Sequence, residues 1–170
     1  ILAENLRNAS GYMSKQLKKH LPESYPFDEL VGLIETSIGK MVPIIKKSDL
    51  QEDPLKVFAE AYNTLILDKR AFKNPVPDVY GLSPKENMKA WVDRKSFIHN
   101  LGHVVVAYVG YLYDNHLTYV WEALENDEIK TFARETMLQS AAVLQKVYQN
   151  EFSWKSLVEH VDDLLKRFQN

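Results

Sequence analysis

The residues of this 170-residue chain best suited to chemistry fall in one stretch, WVDRKSFIHNLGHVVVAYVGYLY at positions 91–113. On a helix turning about 100° per residue, with Lys95 at 0°, His99 falls near 40°, His103 near 80° and Asn100 near 140°. All four share one sector. A lysine, a carboxamide and imidazoles grouped on an apolar helix are costly to bury unless they satisfy one another or a ligand. Burial disfavours the ammonium form, so it lowers a lysine's pKa from its usual value near 10.4. The plainer reading has Lys95 snorkelling to solvent and the histidines hydrogen-bonded in the core. His99 and His103 also have the i, i+4 spacing of zinc-binding helices. The interior glutamate of an HExxH site is missing, however, and spacing singles out none of His116, Glu122 or Asp127 as a third ligand, so no metal is expected.

These residues need a long helix to carry them, and the prolines allow one. All seven lie between Pro22 and Pro84, and the last 86 residues contain none. Ser83-Pro84-Lys85-Glu86 reads as an N-cap, a proline at the first helical position and a capping-box glutamate, which predicts a helix from Ser83 to Asp114. A second helix is predicted over Leu117 to Leu124. Asn126 caps a third bearing Ile129, Phe132, Ala133, Met137, Ala141, Leu144 and Tyr148, and Ser153 caps a fourth bearing Leu157, Val161, Leu164, Leu165 and Phe168. In the first half, Ser10 to His20 reads as an amphipathic helix. Val31 to Ile45 reads as a strand with a bulge, and Leu55 to Leu67 as a strand paired with it. The expected fold is α+β and mostly α, a helical bundle on a long central helix with a small antiparallel β element.

Composition narrows the function class. With 45% apolar and 26% charged residues the chain suits a soluble globular domain. A net charge of −2 and a pI near 6.2 give no electrostatic case for nucleic acid. The apolar run from Phe97 to Tyr113 is 17 residues long and holds three polar side chains, short of the roughly 20 apolar residues of a spanning helix, so no membrane partner is expected. The absence of cysteine removes disulfides and a thiol nucleophile and fits a cytoplasmic location.

The spacing of Lys95, Asn100 and His103 is K-x4-N-x2-H, set in DRKSFIHNLGHVVVAYVGY. It resembles the signature of the polyol-specific long-chain dehydrogenases, and N-x-G-H followed by AYxG is most similar to members acting on mannitol 1-phosphate. ILAENLRN, MVPI, EDPLKVFAEAYNTLILDKRAF and LLKRFQN resemble further segments of that family in order. The resemblance implies an NAD-dependent, zinc-independent oxidoreductase of a sugar phosphate or polyol. Residues 1–75 would be the trailing end of the dinucleotide-binding domain, and 76–170 a helical substrate and catalytic domain truncated at its C-terminal end. It makes Lys95 the catalytic acid or base, Asn5 and Asn100 the donors to a developing alkoxide, and His103 a substrate-orienting residue, with His99 left to packing.

Two departures stand out. Ile38-Gly39-Lys40 precedes Met41-Val42-Pro43 where family members often have Asp-Arg, so Lys40 either contacts a substrate phosphate or is a solvated strand charge, the second being the expectation. No G-x-G-x-x-G occurs, so the cofactor site is expected upstream of Ile1 and the chain alone is expected to have little turnover. The alternatives are an unphosphorylated polyol or uronate substrate within the family and, in another class, a noncatalytic helical interaction domain.

Overall fold

The computed structural model describes residues 1–4 and 6–169, and divides into two compact units, Ile1–Met88 and Lys89–Asn170. The expectation for Asn5 lies outside the described residues.

In the first unit, α1 spans Ala9–Lys18, close to the amphipathic helix expected there. Its start is tied down by Glu35, whose Oε1 accepts from the Ser10 amide at 2.8 Å and from the Ser10 hydroxyl at 2.7 Å. A short α2, Phe27–Leu30, follows the Pro22–Pro26 loop, and α3 covers Lys47–Glu52. Three short strands form one sheet in the order β1-β2-β3: β1 is Thr36–Ile38, β2 Leu65–Asp68 and β3 Leu82–Lys85. The antiparallel β1–β2 pair, with Thr36 opposite Leu67, is the expected β element, and Leu67 is fully buried. The strands are shorter than the sequence pattern suggests. Leu55, Val57 and Phe58 are exposed, so the alternation at 55–61 has no sheet to face and pairing begins only at Leu65.

Strand β3 corrects the reading of Ser83–Glu86. Ser83 and Pro84 lie opposite Ile66 and Leu67 in a parallel pairing, and the helix starts at Met88 instead. Proline is compatible with either role, because an edge strand and a first helical turn both dispense with one backbone donor. Pairing to a strand 17 residues away decides it. Gly81 leads into β3 with φ of 91°, and a Cβ there would sit 2.7 Å from the Asn63 carbonyl oxygen, so this turn requires glycine.

The second unit is a helical bundle. The expected long helix is present over residues 88–113 in three pieces: α4 (Met88–Arg94), a π-helical stretch (Lys95–Asn100) and α5 (Leu101–Tyr113). α6 is a single turn, Val120–Ala123, shorter than predicted. α7 (Asp127–Val147) begins where Asn126 Oδ1 accepts from the amides of Glu128 and Ile129, and α8 (Trp154–Phe168) where Ser153 Oγ accepts from Ser156 N. Both caps stand as the sequence predicts.

The buried stripe of α7 is Ile129, Ala133, Met137, Ala141 and Leu144, whereas Phe132 is exposed. That of α8 is Leu157, Val161, Leu164, Leu165 and Phe168. Gly102 lets three elements meet, because a Cβ on it would lie 2.8 Å from Met137 Sδ on α7 and 2.9 Å from Phe168 Cε2 on α8. The chain is thus an α+β protein dominated by helix. No helix among the described residues is long and apolar enough to cross a membrane.

Candidate active site

The chemistry-bearing residues sit on or just after the one irregular turn of the central helix. Lys95 opens the π stretch, Asn100 closes it and His103 occupies the first turn of α5. In a regular α-helix two residues five apart diverge by about 140°, and i→i+5 hydrogen bonding widens the turn and rotates each residue less. Lys95 and Asn100 are five apart, so the π turn swings them toward a common face. The lysine is half-buried and the carboxamide, five residues on, is exposed. Desolvation holds the Lys95 ammonium below the ordinary lysine range, the direction a general base requires.

His103 is half-buried with its ring against Phe168, the centroids 3.9 Å apart. His99 is buried and packs on both, 5.2 Å from His103 and 5.7 Å from Phe168, as expected of a packing residue. Burial, and then the Arg167 charge, lower the His103 pKa and keep its imidazole neutral. A neutral ring can both donate and accept toward substrate oxygens.

Three neighbours escape the sequence reading. Asp93 is buried, and its Oδ2 accepts from the Tyr148 hydroxyl at 2.5 Å and from Lys89 Nζ at 3.2 Å. Lys89 also donates to the Tyr148 oxygen at 2.7 Å, and these two partners raise its pKa. Arg94 stacks on Trp91, 4.3 Å from the ring centroid, so its charge is directed along the aromatic surface. His160 on α8 is the third. Its position three residues after Leu157 and four before Leu164 puts it within the buried stripe, a signal legible in the sequence.

The His160 pKa is pushed down from 6.5 to about 3, first by burial and then by the charges of Arg94, His99 and Arg167. An unfolded histidine takes up a proton as pH falls below about 6.5, while this one stays neutral. The unfolded state therefore binds more protons across that window, and stability falls as pH drops through it. Urea unfolding at pH 7.5 and pH 4.5 is expected to differ by about 2–3 kcal/mol on this account, with stability higher at pH 7.5. His160→Gln should flatten most of that slope, and an unchanged slope would assign it to other groups.

Among the described residues no group of three His, Asp or Glu side chains converges to hold a metal ion. Nor do the described residues fit a dinucleotide. A pyrophosphate cradle needs a glycine-rich turn running from a strand into a helix N-terminus. The sole described glycine with positive φ, Gly81, instead leads into β3, closed against Asn63. Lys40 is half-buried, and its Nζ donates to the Tyr62 carbonyl at 2.8 Å, so it is not the freely solvated strand charge expected.

The second unit is therefore a helical domain whose central helix widens at a half-buried lysine, with a carboxamide and a neutral imidazole following. Residues 87–170 match the mannitol dehydrogenase C-terminal domain. The match starts one residue before α4 and runs through α8, so the helical second unit is similar to that domain of the mannitol dehydrogenases. Lys95, Asn100 and His103 all lie inside the mannitol dehydrogenase C-terminal match, as do Asp93, Ser140 and His160. Asn5 and Lys40 lie outside it.

Proposed function

We propose that this chain is the substrate-side catalytic portion of a cytoplasmic, NAD-dependent mannitol-1-phosphate 5-dehydrogenase, interconverting mannitol 1-phosphate and fructose 6-phosphate. The observation that carries the reading is the mannitol dehydrogenase C-terminal match over a domain whose central helix widens between Lys95 and Asn100. Oxidising a secondary alcohol removes a proton from oxygen and a hydride from carbon, and NAD would supply the hydride acceptor. This chain's share is the proton.

Lys95, neutral when its desolvated ammonium has lost a proton, accepts the substrate hydroxyl proton and returns it in the reductive direction. The Asn100 amide donates to the oxygen as charge develops on it, and Asn5 is proposed to do the same. His103, fixed against Phe168, orients the neighbouring hydroxyls. No metal is needed for this division of labour.

The test compares mannitol 1-phosphate with mannitol in an NAD-linked assay of the protein that contains this chain. A higher kcat/KM for the phosphate supports the proposal. Equal or greater activity on mannitol or a uronate would move the reading to an unphosphorylated substrate of the same family. Exposed Tyr108 and Leu112 on α5 favour a second reading, a noncatalytic helical interaction domain, which absence of activity on all three substrates would select.

A further inference from the structure

We infer that Ser140 is a positioning residue, acting through the Phe97 carbonyl to hold the π turn that gives Lys95 its place. Ser140 lies on α7, 43 residues from Phe97, and its Oγ donates to the Phe97 carbonyl oxygen at 2.5 Å. This carbonyl belongs to the π stretch itself, between Lys95 and Asn100. Widening a helical turn by one residue disturbs the regular ladder, and kinks and π turns persist where a side chain supplies a hydrogen bond there. Ser140 supplies one from a neighbouring helix that also packs on the π stretch.

The other hydroxyl of α7 in this region behaves differently. Thr136 Oγ1 donates to the Phe132 carbonyl, back along its own helix, at 2.8 Å. That is the ordinary habit of a mid-helix serine or threonine. Ser140 forms its described bond outward instead, at the one point where the central helix departs from α geometry. Losing the bond favours relaxation of the turn, which would separate Lys95 from Asn100 and give the lysine back to water.

The inference rests on the proposed base role of Lys95, and a titration separates the two. Lys95 would be followed by NMR of isotopically labelled lysine side chains in this chain and in Ser140→Ala, Ser140→Thr and Thr136→Ala. The charged surroundings stay constant across the series: Asp93 held by Tyr148 and Lys89, Arg94 stacked on Trp91, His99 on the same stretch, and His160 and Arg167 on α8, which packs on the π stretch. Ser140→Ala is expected to raise the Lys95 pKa by roughly half a unit, the direction of lost desolvation. Ser140→Thr should restore the original value, and Thr136→Ala should leave it in place.

A Lys95 titration that is depressed in the parent chain and unmoved by Ser140→Ala would overturn the inference while sparing the catalytic reading. An ordinary lysine titration in the unaltered chain would instead remove the base role itself, and the inference with it. If Ser140→Ala does not fold, Ser140→Thr decides the matter: retention of the unaltered Lys95 value supports the hydroxyl's role, and loss of it overturns that role.

Discussion

Lys95→Met in the protein containing this chain is expected to lower kcat for polyol oxidation by about 10²–10⁴, the usual worth of a positioned general acid or base. Methionine keeps an unbranched stem of similar reach, so packing around the π stretch is little disturbed and the loss reports the amine. Lys95→Arg provides the sharper comparison. Arginine preserves the positive charge but does not deprotonate in the working pH range, so it should fail nearly as badly if Lys95 accepts a proton. If arginine restores activity, the lysine acts as a fixed charge and the base role is wrong. The pH profile of kcat gives an independent reading. Its limb on the acidic side reports loss of the free amine, and desolvation of Lys95 places that limb below the ordinary lysine range.

Phe168→Ala is expected to destabilise the second unit by about 3–5 kcal/mol, the cost of deleting a buried aromatic ring. The residue is 5% exposed and joins three things: the end of α8, the backbone of α5 at Gly102, and the His99–His103 pair. Since whole domains carry only about 5–15 kcal/mol, a loss of this size leaves the unit close to unfolding at ambient temperature. Chemical denaturation of the chain followed by far-ultraviolet circular dichroism measures it. Phe168→Leu should fold, retaining bulk while removing the ring from His103, and the His103 pKa should rise toward 6.5 as its burial is relaxed. A loss below about 1 kcal/mol for the alanine variant would mean that the packing around Gly102 closes without this ring.

The caps show which parts of the fold can be read from local sequence. Asn126 and Ser153 bond to amides two or three residues ahead, so the sequence contains both partners side by side and the helix starts follow. Ser83-Pro84 is equally local in appearance, yet its role depends on Ile66 and Leu67, and no short-range rule reports that pairing. For the candidate site, residue type and spacing singled out Lys95, Asn100 and His103 as polar residues sharing one helix sector. A straight helix leaves the first two about 140° apart, and the widened turn that reduces this angle is held in part by Ser140, whose sequence neighbourhood carries no sign of it. Asp93 was hidden for the same reason, because Tyr148, which bonds it, comes from the far end of α7. His160 differs from both, since its place in the α8 stripe was open to inspection.

Pro84 has a consequence for how this chain behaves among its own copies. The strand that carries it lies at an edge of the sheet, with β2 on one side. An edge strand presents backbone donors and acceptors in a row, and such a row can template the addition of a strand from another molecule. Proline interrupts the row at its middle by withholding a donor, and the strand is only four residues long. The same residue that imitates a helix start in the sequence thus blunts the sheet edge against self-association and aggregation.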